Sequence, residues 1–144
     1  PPRSTLFPYT TLFRSLRGVA VDLLTQKSPP DHWLPYWSAR YYWEELLESG
    51  VRIHQYTPGM MHAKVVAADG AWASVGSANL DSRSLRLNFE VNGVSTDPAF
   101  VARVEAAFHA EIARSREIRL DEFRRRGRLE RAGESFAHLF APLL

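Results

Sequence analysis

The chain has 144 residues, the length of one domain, and its 45% hydrophobic and 12% aromatic content is enough for a hydrophobic core. The formal net charge is +2, and without Arg3 and Arg14 it is zero, so global charge predicts no partner. The absence of cysteine excludes disulfide bonds and cysteine metal sites, and no run of about 18 apolar residues is present that would span a bilayer.

The first part of the chain predicts a strand, a helix and a second strand. Apolar runs indicate strands at 19–24 and 51–56, and between them lie a loop over 28–37, rich in proline and aromatic residues, and a helix over 38–49. Ser38 is a suitable N-cap for this helix, and Gly50 is the residue type that ends helices.

The second part predicts strands and then helices. Strands are predicted at 61–68, 71–75 and 89–95, and Asp97-Pro98 begins a long helix that ends near Arg114. One face of this helix is apolar and carries Phe100, Val104, Phe108 and Ile112. Two shorter helices, at 121–126 and 128–140, are separated by Gly127. This order predicts an α/β fold, a mixed β-sheet flanked by helices.

The most informative feature is a set of polar residues around the strand predicted at 61–68. Its members are His62, Lys64, Asp69, Gly76, Ser77 and Asn79. Side chains two positions apart on a strand leave the same face about 6.6 Å apart. One phosphate group can therefore contact both His62 and Lys64.

The residue types in this set suit attack on a phosphodiester without a metal. Phosphoryl transfer places negative charge on the equatorial oxygens, and Lys64 supplies a fixed cation for them. A histidine side chain can act as a nucleophile when neutral or as a proton donor when charged, so His62 suits either role, and acid–base catalysis is typically worth about 10²–10⁴-fold in rate.

Residues 76–79 suit a phosphate-binding loop, which we name the phosphate cradle. Gly76 allows close approach of the backbone, while Ser77 and Asn79 offer a hydroxyl and an amide to phosphate oxygens. The segment that follows can begin a helix, whose N-terminus also favours anions.

Each of these residues has an ordinary structural alternative. A single histidine on an apolar strand is more often a core residue, and a single lysine at a strand end is usually solvated. In a chain of this length, the probability that all six residue types match at fixed offsets by chance is on the order of one in a million, taking roughly one in twenty per type. The only lysines are Lys27 and Lys64 in a chain that otherwise uses arginine.

The sequence resembles the phospholipase D superfamily, whose signature His-x-Lys-x4-Asp-x6-Gly-Ser-x-Asn, the HKD motif, is filled here at every position. It is most similar to the C-terminal catalytic half of bacterial cardiolipin synthases. The similar segments are 39–53, 58–62, 76–84, Asn88-Phe89-Glu90 and the arginine-rich tail, within a similarity that runs from about residue 16 to the end.

The resemblance implies a role for each residue of the motif. His62 and Lys64 are catalytic by this likeness, and Asp69 supports the motif. The phosphate-binding residues are Ser77 and Asn79, beside Gly76, and Glu90 orients a histidine across a pseudo-twofold interface.

The resemblance also implies the reaction. Two HKD motifs form one active site, with a covalent phosphohistidine on one histidine and protonation of the leaving alcohol by the other. The implied reaction at the cytoplasmic membrane transfers a phosphatidyl group from one phosphatidylglycerol to the hydroxyl of a second and releases glycerol. No metal or organic cofactor is implied.

Two of these residues keep a structural alternative. Asp69 precedes Gly70 between two apolar runs, which is the signal of a hairpin turn. Glu90 begins a predicted strand, so it could be an exposed carboxylate at a strand end.

The sequence departs from the family in having one HKD motif. No other histidine, at positions 32, 54, 109 or 138, has lysine two residues later. We therefore expect a missing N-terminal HKD half, or a second copy in a homodimer, as partner. Residues 1–15 read like the translation of a sequencing adapter, so they are expected to be a scar on a truncated gene and not part of the native fold.

The predicted domains are thus a catalytic half-domain at 16–114 and an arginine-rich helical tail at 115–144. Eight arginines lie between Arg114 and Arg131: 114, 116, 119, 124, 125, 126, 128 and 131. They could contact anionic lipid, at about 1 kcal/mol per basic residue. The alternative is a solvated helix face paired with Glu117, Asp121, Glu122 and Glu130.

Three functions remain open from the sequence. The first is a phosphatidyltransferase half-site that makes cardiolipin. The second is a phospholipase or nuclease-type phosphodiesterase that pairs two motifs as a homodimer. The third is an inactive fragment that binds anionic lipid through its arginines.

Overall fold

The computed structural model describes residues 9–27 and 33–141. The helices are α1 (Tyr9–Leu16), α2 (Trp33–Arg40), α3 (Trp43–Glu48), α4 (Ser82–Arg86), α5 (Pro98–Ala113), α6 (Leu120–Arg124) and α7 (Arg128–His138). The strands are β1 (Asp22–Thr25), β2 (Arg52–Tyr56), β3 (Val65–Ala68), β4 (Trp72–Gly76), β5 (Asn92–Ser95) and β6 (Ser115–Ile118). The predicted α/β class is confirmed.

The strands form two small sheets. In the first, of order β1-β2-β6, β1 is parallel and β6 antiparallel to β2, so this sheet is mixed as predicted. In the second, of order β3-β4-β5, all neighbours are antiparallel. Helix α5 contacts β2, β3, β4 and β6, and so it joins the two sheets.

The hydrophobic core lies mainly on the mixed sheet. Its buried members come from α1, α2, α3, the first sheet and α6, and they are Leu12, Tyr36, Trp43, Leu46, Val51, Ile53, Ile118 and Phe123. Helix α5 also contacts the antiparallel sheet, and Val101 of α5 and Ala73 of β4 are both fully buried. The face of α5 predicted to be apolar is half-buried.

Helix α7 packs tightly against α2. A Cβ atom at Gly133 would lie 1.8 Å from Cζ3 of Trp37, so the two helices approach where only glycine fits. The buried carboxylate of Glu134 lies 3.0 Å from Nε of Arg40 and 3.0 Å from Nε of Arg126. These contacts hold α7 against α2 and Arg126.

The region between the first two strands differs from prediction. Residues 33–37 begin α2 instead of completing a loop, because Pro35 lies in the first turn of a helix, where proline is tolerated. Residues 28–32 lie outside the described part of the chain. Ser38 is inside α2 and not an N-cap, and a turn at Tyr41 and Tyr42 divides the predicted helix into α2 and α3.

The predicted helix ends are confirmed at several places. Gly50 has φ +91° after α3, and the N–H of Val51 donates to the carbonyl of Leu46. Asp97 is the N-cap of α5, since its carboxylate accepts the N–H of Phe100 at 2.8 Å. Gly127 precedes α7 as predicted.

Three strand predictions were too long at their N-terminal ends, at 19–24, 61–68 and 89–95. The motif strand β3 begins only at Val65, which pairs with Val75 near the end of β4. Asn92 likewise pairs with Gly76, the last residue of β4, so residues 89–91 find no partner strand. A strand extends only as far as its neighbour does.

The predicted helical tail at 115–144 is wrong for its first residues, which form β6. Ile118 is buried and pairs with Ile53 of β2, so burial against the sheet overrides the helical pattern. The helices predicted at 121–126 and 128–140 correspond to α6 and α7, within one or two residues at each end.

Part of the segment expected to be a scar is folded against the rest of the chain. Residues 9–16 form α1, the side chain of Leu12 joins the core, and the hydroxyl of Ser15 donates to the carbonyl of Ser49 at 2.7 Å. Residues 1–8 lie outside the described part. Among the helices that the structure describes, none is long and apolar enough to cross a membrane.

Candidate active site

The segment that carries His62 and Lys64 runs just before β3. Met61, Ala63 and Val65 line an apolar cavity of about 220 Å³ against α5, whereas the side chain of His62 is exposed. Because alternate residues of an extended segment face opposite ways, His62 and Lys64 lie on the face turned away from this cavity. The Nζ atom of Lys64 donates to the carbonyl of His62 at 3.1 Å.

Asp69 lies at the other end of β3, in the hairpin turn. Asp69 and Gly70 have φ values of 54° and 64°, and the N–H of Ala71 donates to the carbonyl of Ala68 at 2.9 Å. Both central residues have positive φ, as a type I′ turn requires. The turn interpretation of Asp69 is confirmed, and β3 separates it from Lys64 by a distance on the order of 15 Å.

The phosphate cradle at residues 76–79 is fixed beside Lys64. The N–H of Gly76 donates to the carbonyl of Lys64 at 3.1 Å, and the N–H of Ser77 donates to the carbonyl of Val91 at 2.9 Å. The N–H of Ala78 donates to Oδ1 of Asn92 at 3.4 Å. The motif segment and the segment before β5 therefore hold the cradle from two sides.

Gly76 is required by close packing. A Cβ atom at this position would lie 2.1 Å from Oδ1 of Asn92 and 2.3 Å from the carbonyl oxygen of Val91. No side chain fits there without moving the backbone of residues 91–92. The structure thus gives a steric reason for glycine at this position of the motif.

Glu90 is the acidic residue next to the cradle. The Ser77 hydroxyl donates to its Oε2 at 2.5 Å, and Nδ2 of Asn88 donates to its Oε1 at 3.3 Å. The hydrogen bond from Ser77 is the main reason why the pKa of Glu90 lies below its usual value, and Ser84, Asn88 and the positive charge of Lys64 also lower it.

The structure therefore brings Lys64, Ser77 and Glu90 together. Asn79 follows two residues after Ser77 and is exposed, and within the described residues its side chain makes no hydrogen bond. Asn88 and Asn92 contact the site but were not identified as candidates. Asn88 carries a sequence signal in the triplet Asn88-Phe89-Glu90, whereas Asn92 carries none, because only its strand pairing places it against Gly76.

An apolar surface follows the cradle in sequence, and we name it the cradle-side patch. Its members are large hydrophobic residues that are more than two-fifths exposed: Leu80, Leu85, Leu87, Phe89, Val91 and Val94. Phe89 is fully exposed. Exposed apolar residues concentrated in one segment typically mark a site of interaction.

The arginine-rich tail is largely paired with carboxylates. Those that pair are Arg114, Arg116, Arg119, Arg124 and Arg126, and their partners are Glu44, Glu48, Glu111, Asp121, Glu122 and Glu134. The ion-paired alternative thus describes most of these arginines, although Glu117 is not among their partners and Glu130 pairs instead with Arg40. Arg125 and Arg128 are exposed.

Sequence comparison identifies related proteins. A family model described as cardiolipin synthase, PLD-like domain, matches residues 13–112. Cardiolipin synthase A of Pseudomonas aeruginosa (strain LESB58) is 45% identical over 129 residues, which are 90% of this chain and 26% of that protein. Cardiolipin synthase A of Pseudomonas fluorescens (strain SBW25) is 43% identical over 129 residues, again 90% of this chain and 27% of that protein. The chain spans about a quarter of the length of these relatives.

Structural comparison agrees at the level of the fold. The crystal structure of Nuc from Salmonella typhimurium, a phospholipase D family member, superposes with a TM-score of 0.53 at 12% sequence identity. The match covers 82% of this chain and 93% of that chain. The predicted phospholipase D-like fold is confirmed.

Proposed function

The chain belongs to the phospholipase D-like domain family of cardiolipin synthases, and from this we propose that it forms one half of a phosphatidyltransferase site. The proposed reaction moves a phosphatidyl group from one phosphatidylglycerol to the hydroxyl of a second and releases glycerol. The observation that carries the proposal is the position of Lys64, whose ammonium bonds the carbonyl of His62 and whose own carbonyl accepts the N–H of Gly76 at the start of the phosphate cradle.

The proposed chemistry uses two histidines, of which His62 is one. In the first step one imidazole attacks phosphorus and forms a P–N bond, while the other donates a proton to the departing glycerol oxygen. In the second step the acceptor hydroxyl gives its proton to that second imidazole and attacks phosphorus, which breaks the P–N bond. Lys64 stabilises the negative charge on the phosphoryl oxygens in both steps.

The second histidine is proposed to come from a partner that carries another HKD motif. The cradle-side patch supports this, because it places exposed apolar surface beside the cradle. Glu90 also supports it, since the Ser77 hydroxyl holds its carboxylate beside the cradle, where an incoming imidazole could donate a hydrogen bond. The proposed partner is a matching N-terminal half, and the proposed place of action is the surface of the cytoplasmic membrane with anionic phospholipid as substrate.

Reconstitution with a matching half tests this function. The chain would be co-expressed with the N-terminal half of cardiolipin synthase A from Pseudomonas aeruginosa in cells that lack cardiolipin synthesis, and cardiolipin would be measured by mass spectrometry. We expect cardiolipin to form, and we expect His62→Ala to lower its rate of formation by at least about 10²-fold. His109→Ala, an exposed histidine on α5, is the control and is expected to leave the rate unchanged. Cardiolipin formation that His62→Ala does not reduce would refute the proposed role.

A phosphodiesterase homodimer is the second candidate, and the same patch favours it, since a second copy would cover the patch and supply a second HKD motif. Sedimentation of the purified chain and hydrolysis of bis-p-nitrophenyl phosphate test it directly. A dimer that hydrolyses this diester and loses activity in His62→Ala would favour the second candidate. A monomer without hydrolysis would exclude it.

A further inference from the structure

Helix α7 turns its large apolar residues outward. The residues that it buries are Glu134 and Ala137, and Gly133 packs against Trp37 of α2. The outward residues, all exposed, are Leu129, Ala132, Phe136, Leu139 and Phe140 at the C-terminal end of the helix. Positions with this spacing of three and four residues lie within an arc of about 100° on one side of a helix. We name this side the outer face of α7.

The outer face is an apolar surface and not a set of isolated side chains. The rings of Phe136 and Phe140 meet edge to face, with centroids 5.4 Å apart. Leu129 and Leu139 are 89% and 72% exposed. An amphipathic helix normally packs its apolar side against the core, whereas α7 packs the side that carries Glu134. Exposed apolar residues grouped in this way typically mark a site of interaction.

The charges of α7 are divided between its two sides. Its carboxylates, Glu130 and Glu134, both pair with Arg40 of α2. Arg128 begins the helix four residues before Ala132, so it borders the outer face, and Arg125 lies just before the helix. Both arginines are exposed, and among the described residues neither has a carboxylate partner. The outer face is therefore apolar, with positive charge at its border.

This combination is complementary to an anionic lipid surface. Leucine and phenylalanine side chains enter the boundary between headgroups and acyl chains, and arginines beside them reach the lipid phosphates. A second copy of the chain fits less well, because a twofold contact would place the outer face against itself, where it meets no carboxylate. The separation of charges on α7 thus favours lipid over a second copy.

We infer that α7 is an interfacial helix that lies on an anionic lipid surface, with its outer face in the lipid and with Arg125 and Arg128 on lipid phosphates. The inference goes beyond the proposed function, which places the chain at a membrane but assigns no surface to it, and rests on that function only for the choice of membrane. Glu134 ties α7 to Arg40 and Arg126, so the docked helix also sets the orientation of the domain.

Vesicle flotation of the purified chain tests the inference. Vesicles of phosphatidylglycerol and phosphatidylcholine in equal amounts are compared with vesicles of phosphatidylcholine alone, and the bound fraction gives a partition constant. On the anionic vesicles we expect Phe136→Ser/Leu139→Ser to weaken binding by at least about tenfold. We expect Arg125→Ala/Arg128→Ala to weaken it by a similar factor on these vesicles only. Failure of the intact chain to bind the anionic vesicles would overturn the inference.

Leu16→Ser and Arg103→Ala are the matched controls. Leu16 at the end of α1 is 64% exposed, close to the value for Leu139. Arg103 on α5 is exposed and, like Arg128, has no carboxylate partner among the described residues. We expect each control to change the partition constant by less than about twofold, with thermal unfolding unchanged in all variants. Weakening in the controls as large as that in the α7 variants would refute docking through α7.

A fluorescent label shows which side of the domain enters the lipid. Because the chain has no cysteine, Phe136→Cys and Leu16→Cys each offer a single site for an environment-sensitive nitrobenzoxadiazole label. We expect anionic vesicles to increase the emission severalfold from position 136 and to change it little at position 16. An equal response at both positions would contradict the proposed orientation.

Sedimentation without lipid tests a second copy as the occupant of the outer face. We expect the intact chain and Phe136→Ser/Leu139→Ser to have the same oligomeric state. A dimer that becomes a monomer in this variant would show that a second copy covers the face, and would overturn the inference. The proposed function is judged separately: vesicle binding through α7 without cardiolipin formation in the reconstituted pair would refute that function and leave the present inference standing.

Discussion

The backbone N–H of Gly70 donates a hydrogen bond of 2.8 Å to Oε1 of Glu105, and this contact ties the turn between β3 and β4 to helix α5. The turn has two consecutive residues with positive φ, Asp69 and Gly70. The backbone N–H groups of these two residues therefore cannot bond as they would in a regular strand. Glu105 satisfies one of them from outside the sheet. The hairpin that begins with the motif is thereby oriented against α5.

Replacement of Glu105 tests this support. We expect Glu105→Ala to lower the free energy of unfolding by about 1 kcal/mol, as for the loss of one hydrogen bond, and Glu105→Gln to lower it less because an acceptor remains. Urea unfolding followed by tryptophan fluorescence measures both variants. Equal stability of Glu105→Ala and the unmodified chain would show that the contact does not support the turn.

Gly76→Ala should disrupt the phosphate cradle. The added Cβ would meet Oδ1 of Asn92 and the carbonyl of Val91 at less than contact distance, and forced overpacking typically costs about 1–3 kcal/mol. The matched control is Gly93→Ala on β5, where the nearest atom to the added Cβ is the carbonyl oxygen of Val75 at 3.7 Å. We expect Gly76→Ala to lower the free energy of unfolding in urea and to weaken the binding of tungstate, a phosphate analogue. Gly93→Ala should change both quantities little. Similar effects in the two variants would contradict the steric argument.

Glu134 should be the most sensitive carboxylate of the C-terminal helices. Its side chain is 3% exposed between Arg40 and Arg126, so Glu134→Gln removes the buried counter-charge that they share and leaves each guanidinium with one more exposed partner, Glu130 or Glu44. Removal of one member of a buried ion pair typically costs about 3–5 kcal/mol.

Glu130→Gln is the control for this substitution. Glu130 pairs with the same Arg40, but its side chain is 51% exposed, so we expect a loss below about 1 kcal/mol. Thermal and urea unfolding of both variants provide the comparison. If Glu130→Gln lost as much stability as Glu134→Gln, burial would not be the deciding factor.

His138 should make the fold sensitive to mild acid. Its ring stacks on Tyr41 with centroids 4.1 Å apart, and burial lowers the pKa of His138 below its usual value of 6.5. The unfolded chain then binds the proton more readily than the folded chain, so stability is lost as the pH falls below about 6.5 toward the folded-state pKa.

His138→Phe keeps a stacking ring and removes the titration. We expect the free energy of unfolding to fall between pH 7.5 and 5.5 in the unmodified chain and to fall less in His138→Phe. The lowered pKa of Glu44, held down mainly by its hydrogen bond from Arg126, affects stability only below about 4.5 and stays outside this window. The same pH slope in both proteins would contradict the lowered pKa of the half-buried His138.

The candidate residues of the site could be named from the sequence because their chemistry is encoded in short segments. His62, Lys64 and residues 76–79 are identified by residue type and spacing, and the Asp69-Gly70 turn and the Asp97 cap depend on neighbours within three residues. Strand ends could not be predicted in the same way. The length of β3 is set by β4, and the strand β6 forms because Ile118 is buried against Ile53, far away in sequence.

The sequence by itself therefore determined the reactive groups and the family, since these depend on which side chains are present and in what order. Only the tertiary structure decided which groups lie together. It placed the Ser77 hydroxyl against the Glu90 carboxylate, thirteen residues away. It also paired the tail arginine Arg126 with Glu44 and Glu134. The physical reason is that a hydrogen bond or ion pair forms with whichever partner the fold brings near, and local sequence does not specify that partner.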